Sequence, residues 1–548
     1  MAQAFLGIDV GTGSARAGLF GKDGRLIAAA KRPIKIWRED PDIVEQSSED
    51  IWQAICDSVR AVLAEADIDP QDVGGLGFDA TCSMVVLDRD DRPLSVGPSD
   101  ENERNVIVWM DHRALDQTAR INATGHDVLR YVGGRISPEM ETPKLLWLKE
   151  NKPETFAEAG QFFDLADFLS FRATGSRARS VCTMTCKWTY LAHEGRFDAD
   201  YFRTIGLEEL AEEGFERIGA QVVDIATPLG SGLTEKAAAE LGLRPGTPVG
   251  ASLIDAHAGG VGTVGGTSPT GEAFDPTREL AFIMGTSSCT MTLTTEPAFV
   301  DGVWGPFCGA MLPGYWLLEG GQSAYGAALD HLVTMHPAFG EASKAAAERG
   351  VSLLDHLEAC AVEMAGSLEK AALLGAALTV VPEFLGNRSP EADPHATAAM
   401  SGLTLVNSKE SLVRLFVAGL CGLCYGTRQI VEANRAKGLE LGTIVASGGA
   451  ARSPLLRRIL ADATGLTITS PETPEPVLLG SAMVGAVAGG AHEDLRTAAA
   501  SMCRSGDVIS PAGGTIAEFH STKYEAYRLL QQCERRTREI MREYAAPH

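Results

Sequence analysis

The sequence predicts an α/β protein made of two similar lobes that face a cleft. An apolar segment at residues 4–9 ends at an acid and leads through a Gly/Thr/Ser turn into a second strand at 17–20. The same order, strand, Gly/Thr/Ser turn and strand, recurs at 280–293. A further apolar segment at 441–446 runs into a glycine pair and then a helix that begins at Ser453-Pro454. Because each hairpin is followed by more β and α segments, we expect one lobe from each half.

We place the junction between the lobes at 249/250. The preceding Leu-Arg-Pro-Gly-Thr-Pro segment carries two prolines and a glycine, which interrupt regular structure. The domains are therefore predicted as residues 1–249 and 250–548. Within them, Ser47-Ser-Glu-Asp50 predicts the start of a helix that continues to Ala66. The segment 516–544 predicts a charged amphipathic helix on the second lobe.

Composition excludes several classes of protein. The 548 residues are 45% hydrophobic and 22% charged, which is typical of a globular chain and not of a disordered one. The formal net charge of −24 disfavours a nucleic-acid partner. Apolar stretches are too short and glycine-rich for a membrane span, and the N-terminus lacks a signal-peptide pattern, so we expect no membrane association and a cytoplasmic location.

Eleven cysteines, an odd number in a long chain, favour reduced thiols over a disulfide framework. Two pairs, Cys182/Cys186 and Cys421/Cys424, have spacings also found in metal or redox sites. No second Cys/His pair flanks Cys421 and Cys424, which fall within a helical pattern. We expect both pairs to be buried small hydrophobes, and a redox role stays open.

Three glycine turns are candidate anion-binding sites. The hairpin turns at 9–16 and 285–288 combine glycine with Thr/Ser hydroxyls, which lets backbone N–H groups approach phosphate oxygens. Gly448 and Gly449 lie between a strand and a helix, where a nucleobase or ribose fits against the backbone. The chain has no G-x-x-x-x-G-K-[ST] segment and no helix-opening G-x-G-x-x-G, so a P-loop or dinucleotide fold is disfavoured.

Asp255 is the candidate general base. It ends an apolar segment and precedes small residues, so it can lie in a cleft with a raised pKa. The alternative is a structural aspartate that caps a helix. His257 is a second candidate base, although its spacing favours local packing or capping.

The chain resembles the FGGY family of carbohydrate kinases, within the superfamily of sugar kinases, hsp70 and actin. Matching motifs cover residues 5 to about 490 and stand in the family's order at 7–12, 109–114, 254–259, 285–288, 320–324, 384–394 and 447–450. The resemblance implies two ribonuclease-H-like lobes with a cleft between them. It also implies ATP and Mg²⁺ as cofactors and phosphate transfer to a sugar or polyol hydroxyl.

The resemblance implies a role for each matching residue. Asp255 would take the proton of the attacking hydroxyl, and Asp9, with Asp255, would hold Mg²⁺ through water. The remaining cofactor positions would line the transferring phosphate or flank the adenosine: Thr12, Gly13, Gly285, Thr286, Ser287, Gly448 and Gly449.

The acceptor sugar follows from finer details of the same resemblance. The motif at 109–114 is similar to the ribulokinase version, and the chain resembles the branch that phosphorylates D-ribulose. The implied sugar contacts, with Asp255, are Cys82, Trp109, Asp111, Lys187 and Glu319. An ammonium and a carboxylate suit the orientation of hydroxyl and carbonyl groups. Alternative roles are plain core for Trp109 and surface or ion-pair positions for Lys187 and Glu319.

The resulting prediction is an ATP-dependent ketopentose kinase that makes D-ribulose 5-phosphate. Alternative acceptors are L-ribulose, ribitol or another pentitol. A different class, a nucleotide-gated sugar-binding protein without turnover, also fits the scaffold, whereas the short tail after Gly490 cannot supply the peptide-binding domain of a chaperone. The expected partners are a small sugar and ATP, and the resemblance is compatible with a homodimer.

Overall fold

The computed structural model describes residues 4–267, 275–542 and 544. Residues 1–3 of the predicted domain 1–249, residues 268–274 and 545–548 of the predicted domain 250–548, and residue 543 of the predicted terminal helix lie outside the described residues. In chain order, strands β1–β21 of the described part are Ala4–Gly11, Ser14–Gly21, Leu26–Pro33, Trp37–Asp40, Ile43–Gln46, Val73–Ala80, Met84–Asp88, Val106–Ile107, Ala159–Asp164, Arg179–Ser180, Val222–Val223, Leu253–Ile254, Glu279–Met284, Ser288–Thr294, Trp304–Cys308, Trp316–Gln322, Thr379–Val381, Ala399–Ser401, Thr443–Ser447, Thr467–Pro471 and Ser505–Ile509.

The helices surround these strands. In chain order, helices α1–α18 of the described residues are Ser48–Ala66, Leu115–Ala123, Glu141–Asn151, Pro153–Glu158, Leu165–Thr174, Val181–Lys187, Ala199–Thr204, Glu208–Glu212, Glu235–Leu241, Asp255–Val261, Gly326–Thr334, Phe339–Glu348, Leu353–Ala365, Lys409–Ala436, Pro454–Thr464, Pro476–Ala488, Leu495–Met502 and Gly514–Met541.

The first half builds a five-stranded sheet in the order β12-β6-β1-β2-β3. Strands β1, β2 and β3 form an antiparallel meander, and β6 and β12 then add in parallel to β1 and to each other. Strand β1 is buried apart from its last residue, as its apolar sequence predicts. The carboxyl ends of three parallel strands therefore meet at one edge of this sheet.

The second half repeats the arrangement in a seven-stranded sheet, β15-β16-β14-β13-β19-β20-β21. Here β13, β14 and β16 form the antiparallel part, while β19 and β20 add in parallel beside β13. Both predicted strand–turn–strand units and the strand at 441–446 are confirmed. The predicted α/β class with two similar lobes is confirmed as well.

Helix α16 of the second half packs on the first sheet. A Cβ on Gly7 of β1 would lie 1.9 Å from the carbonyl oxygen of Leu478, and one on Gly77 of β6 would lie 2.2 Å from that of Ser481. Glycine at these two strand positions is what lets the helix approach so closely. Strand β12 likewise follows residue 249 but joins the first sheet. The two halves are interleaved here, and the boundary at 249/250 stays a prediction.

Three predicted helices are confirmed, two of them with the predicted capping residue and the third close to its predicted extent. Ser47 caps α1 by accepting a hydrogen bond from the N–H of Asp50, and Ser453 caps α15 through the N–H of Leu456. The terminal helix α18 contacts α14, α15 and β17 of the second lobe, as predicted, and ends at Met541.

All eleven cysteines fall in the described part and are free thiols. The pairs Cys182/Cys186 and Cys421/Cys424 are buried, as predicted for small hydrophobic residues. None of the helices in the described ranges combines the length and apolar character that a membrane crossing requires.

Candidate active site

Three carboxylates lie together at the carboxyl edge of the first sheet. Asp9 of β1 is the register partner of Asp79 on β6, and β12 pairs with the same end of β6 just before Asp255. Asp9 and Asp79 are buried, whereas Asp255 is partly exposed as the first residue of α10. The side chain of Asp255 accepts a hydrogen bond from the N–H of Ala256 at 2.7 Å. The N-cap of α10 is Ile254 and has no side-chain capping bond, so Asp255 does not cap this helix, and its bond to Ala256 uses one oxygen only.

Burial and the charge of Asp9 change the ionisation of Asp255 and Asp79. Burial, and then the charge of Asp9, raises the pKa of Asp255 to about 6. The pKa of Asp79 is raised further, by burial and then by Asp9, although Ser481 donates a hydrogen bond to its Oδ2. On the other side, Arg16 Nε donates to Asp9 Oδ2 at 2.5 Å and so offsets part of the negative charge. A carboxylate with a pKa near 6 is suited to accept a proton at neutral pH.

The first glycine turn is held beside these acids. Thr12 and Gly13 join β1 to β2, and a Cβ on Gly13 would meet no atom within 4 Å. The indole N–H of Trp109 donates to Thr12 Oγ1 at 2.9 Å, and Gln46 donates to the carbonyl oxygen of Thr12 at 2.7 Å. Trp109 is partly buried and is thus a positioned side chain of the site as well as part of the core.

The two glycine turns of the second lobe are neighbours. Ile283 and Ser447 are register partners on β13 and β19, so Gly285–Ser287 and Gly448–Gly449 emerge from adjacent parallel strands. Gly285, Thr286, Gly448 and Gly449 are exposed. The carbonyl oxygens of Gly285 and Thr286 accept hydrogen bonds from the first N–H groups of α11 and its flank. These exposed turns carry no charged side chain and lie on an open edge of the sheet, where a phosphate or ribose can approach the backbone closely.

Lys187 brings most of the predicted sugar contacts together. This side chain, at the end of α6, is 8% exposed. Burial by itself lowers its pKa, but the surrounding Cys82, Glu319 and Glu139 outweigh burial and raise it. Lys187 and Asp9 in turn affect the pKa of Asp255. Cys82, Lys187, Glu319 and Asp255 therefore share one electrostatic environment, and Lys187 is buried within it, not on the surface.

His257 joins this group from α10 and does not cap locally. Its Nε2 lies 3.2 Å from Glu319 Oε1, and its Nδ1 lies 3.1 Å from the sulfur of Cys182. Burial lowers the pKa of His257, but Cys182 and Glu319 together raise it to about 10. The same pairing helps to hold the pKa of Glu319 below its usual value, against the effect of burial. The ion-pair alternative for Glu319 is thus realised, inside the pocket.

Asp111 requires a correction. The side chain is completely buried, and both of its oxygens accept hydrogen bonds from Arg113 at 2.8 Å. Oδ2 also accepts from the N–H of Val44 at 2.6 Å. Because these donors enclose the carboxylate, it is closed to a sugar. Asp111 instead fixes the segment that carries Trp109.

Three residues missed from the sequence belong to the site. Asp79 follows an apolar segment at 75–78, and this strand-end position is the signal in the sequence that points to it. Arg388 is one of the cations that lower the pKa of Glu319. The guanidinium carbon of Arg388 lies 5.9 Å, and the ammonium nitrogen of Lys187 5.8 Å, from the ring centroid of Trp304. Arg388 lies within the motif at 384–394, so that motif was the available signal. Trp304 carried no such signal.

The acid cluster fits a hydrated divalent cation. Oδ1 of Asp79 is buried with no hydrogen-bond partner among the described residues. Burial, and then the charge of Asp9, raises the pKa values of Asp79 and Asp255, and a cation would offset the repulsion by Asp9. Mg²⁺ takes carboxylate and water oxygens of this kind. A cluster of carboxylates beside glycine turns that lack charged side chains is an arrangement that phosphoryl transfer can use.

Two family models match the chain. The model for the FGGY family of carbohydrate kinases, N-terminal domain, matches residues 4–262, and the model for the C-terminal domain of the same family matches residues 280–489. The matched ranges include every site residue described above.

Individual relatives of the chain support the same family assignment. An FGGY carbohydrate kinase domain-containing protein of Homo sapiens is 44% identical over 98% of both chains, and a D-ribulokinase of Saccharomyces cerevisiae is 40% identical over 89% of this chain and 72% of its own. The crystal structure of xylulose kinase from Rhodospirillum rubrum has the same fold, with a TM-score of 0.78 at 22% identity and 99% coverage of both chains. The chain belongs to the FGGY family of carbohydrate kinases.

Proposed function

We propose that this carbohydrate kinase transfers the γ-phosphate of ATP to a ketopentose, with D-ribulose as the preferred acceptor and D-ribulose 5-phosphate as the product. The observation that carries the proposal is the grouping of Asp255, Lys187, Glu319 and Cys82 beside the acid edge of the first sheet. The 40% identity to a protein named D-ribulokinase supports the choice of acceptor.

Asp255 is the proposed general base. Its pKa of about 6 leaves it mostly ionised at neutral pH, yet basic enough to accept the proton of an attacking hydroxyl as the new O–P bond forms. One of its oxygens is held by the N–H of Ala256, which leaves the other to accept a proton. Positioning of this kind matters because phosphoryl transfer needs little covalent help from the protein.

Asp9, Asp79 and Asp255 are the proposed residues for Mg²⁺, with water completing the coordination. When bound, the cation neutralises charge on the transferring phosphate. The residues themselves contribute fixed geometry: Arg16 holds one oxygen of Asp9, and Ser481 holds one oxygen of Asp79. Each acid retains a second oxygen for the cation or its water shell.

The nucleotide site is proposed at the glycine turns. Thr12 and Gly13 of the first lobe, with Gly285, Thr286 and Ser287 of the second, would line the phosphates. Gly448 and Gly449 would lie against the adenosine. The five exposed residues among them, Gly13, Gly285, Thr286, Gly448 and Gly449, and the lack of charged side chains support this role, since backbone N–H and hydroxyl groups can then donate to phosphate oxygens.

The sugar pocket is proposed around Lys187 and Glu319, with Cys82 and the face of Trp109 packing on the carbon skeleton. An ammonium only donates hydrogen bonds, and an ionised carboxylate only accepts them. Lys187 can therefore donate to a carbonyl oxygen of the sugar, while Glu319 accepts from a hydroxyl. L-Ribulose, ribitol and other pentitols remain the alternative acceptors: L-ribulose has the same groups in mirror-image arrangement, and the pentitols have a hydroxyl in place of the carbonyl.

The test is ADP release in a coupled assay over a panel of D-ribulose, L-ribulose, D-xylulose, ribitol, arabinitol and glycerol. We expect the highest kcat/KM with D-ribulose. Activity with glycerol alone would contradict the ketopentose assignment, and ADP release with none of the panel would favour a sugar-binding protein without turnover. The cytoplasmic location and the homodimer stay predictions; sedimentation of the purified chain tests the latter.

A further inference from the structure

Beside the sugar pocket lies a cluster of three metal-ligating side chains. The sulfur of Cys186, an imidazole nitrogen of His257 and a carboxylate oxygen of Glu319 all lie within 4.8 Å of one another. Cys186 and His257 are each 1% exposed. We propose that these three side chains form a binding site for a transition-metal dication of the Zn²⁺ type, and that metal bound there blocks the sugar site.

The imidazole is already oriented for this purpose. Its Nδ1 faces the sulfur of Cys182 at 3.1 Å, and that sulfur also accepts from the N–H of Ile254 at 3.3 Å. The opposite nitrogen, Nε2, points at Glu319 and has no hydrogen-bond partner of good geometry within the described residues. A metal-binding histidine is commonly held through its second nitrogen in this way. The ring is thus fixed with a buried nitrogen aimed at Glu319, and a metal would take the place of the ion pair between them.

The donor set selects the metal. Sulfur, imidazole nitrogen and a carboxylate oxygen together suit Zn²⁺ and its close analogues, whereas Mg²⁺ prefers oxygen donors alone. Tetrahedral zinc places such ligand atoms about 3–4 Å apart, so the cluster needs only a small contraction. Three protein ligands leave a fourth position for water, as in open zinc sites.

Binding of a dication to the cluster is balanced in charge and in protons. Binding releases two protons to solvent, one from the thiol of Cys186 and one from the imidazolium of His257, and transfers no electron. The thiolate and the carboxylate of Glu319 then cancel the dication, so the loaded site adds no net positive charge next to Lys187. This compensation allows a cation to bind close to a buried ammonium.

The consequence for catalysis rests on the proposed function. Glu319 cannot bind the metal and a sugar hydroxyl through the same oxygen, so metal binding removes one of the proposed sugar contacts. The nucleotide turns share no residue with the cluster. Inhibition is therefore expected to compete with the sugar and not with ATP.

Binding is tested first, without any substrate. The full-length chain is titrated with Cd²⁺, and thiolate-to-metal charge-transfer absorption is followed. We expect one equivalent bound by the wild-type chain, and at least about a 100-fold loss of affinity in Cys186→Ser. Cys533→Ser, which removes the exposed cysteine of α18, is the matched control and should keep the absorption. A signal that survives Cys186→Ser, or disappears in Cys533→Ser, would overturn the site.

A second variant guards against misfolding of Cys186→Ser. Glu319→Gln keeps the shape of the side chain but removes its charge, and should weaken Cd²⁺ binding at least about tenfold. Unchanged Cd²⁺ affinity in this variant would remove Glu319 from the site.

Kinetics then test the inhibition. Micromolar Zn²⁺ with excess Mg²⁺ should raise KM for D-ribulose several-fold, leave kcat and KM for ATP unchanged, and be reversed by a chelator. Competition with ATP instead would contradict a shared sugar site. If no acceptor is turned over, the proposed function fails while the Cd²⁺ titration still decides the metal site on its own.

Discussion

The two sheets share a five-strand core of the same order, β3-β2-β1-β6-β12 and β16-β14-β13-β19-β20, but they differ in charge at the carboxyl ends of their parallel strands. In the first sheet, β1 and β6 end with the register partners Asp9 and Asp79. In the second, the corresponding β13 and β19 end near Ile283 and Ser447, followed by exposed glycines. One edge is thus acidic and enclosed, and the other is uncharged and open.

This difference indicates that two sheets of similar topology can bind different parts of one reaction's components. Carboxylates close to a tetra-anionic nucleotide are tolerated only where a cation or a transferred proton compensates them. An uncharged turn binds phosphate through N–H and hydroxyl groups and needs no compensating cation or proton. The first edge therefore suits the cation and the base, and the second suits the nucleotide.

The largest expected effect comes from removing the base. Asp255→Asn should lower kcat by about 10²- to 10⁴-fold, because the attacking hydroxyl loses its proton acceptor, while ATP affinity is retained. Coupled ADP release measures kcat, and calorimetry measures ATP binding. The control is Asp301→Asn, an aspartate whose side chain is fully exposed and which should behave as wild type. Near-normal turnover in Asp255→Asn would remove this residue from the proposed role.

The next effect concerns the acid cluster itself. Asp9→Asn should raise the Mg²⁺ concentration needed for half-maximal rate by about tenfold or more, since one anionic ligand of a hydrated cation is lost. The rate is measured as a function of Mg²⁺ at saturating ATP and sugar. If the Mg²⁺ dependence of Asp9→Asn superimposes on that of the wild type, the cation lies elsewhere.

A pH profile tests the electrostatics of the same edge. The pKa of Asp255 is raised to about 6, so the fraction of ionised base falls as pH drops through 6. Accordingly, kcat/KM for the sugar should decrease about tenfold per pH unit below 6 and level off above 7. A rate that stays constant down to pH 5 would show that no group with this pKa acts as the base.

The smallest expected effect is on the uncharged edge. Gly448 has φ +89°, and a Cβ there would lie 2.5 Å from the carbonyl oxygen of Met284. Gly448→Ala should destabilise the turn by about 1–3 kcal/mol and weaken ATP binding. Gly449 has φ −60° and open space around its Cβ position, so Gly449→Ala is the matched comparison for thermal unfolding. Equal melting temperatures for the two variants would contradict the close approach at Gly448.

Local signals explain what the sequence predicted well. The strand–turn–strand units, the caps at Ser47 and Ser453 and the terminal helix depend on neighbouring residues, and these elements match the structure. The site roles were implied by a resemblance, and the grouping of Asp255, Lys187, Glu319 and Cys82 supports them.

Contacts between distant segments could not be predicted. The resemblance implies that Asp111 contacts the sugar, but Arg113 and Val44 enclose its carboxylate. Val44 lies on β5, 67 residues before Asp111. The pairing of His257 with Glu319 links α10 to β16, and α16 crosses to pack on the first sheet. Such contacts depend on how elements pack, which hydrophobic periodicity within one segment does not encode.

The division between the edges is tested most directly by measuring the two ligands separately on two variants. ATP and D-ribulose are titrated calorimetrically into Gly448→Ala and Lys187→Met. The account predicts that Gly448→Ala weakens ATP and leaves D-ribulose unchanged, and that Lys187→Met does the reverse. Weaker D-ribulose binding in Gly448→Ala with ATP binding intact would contradict it.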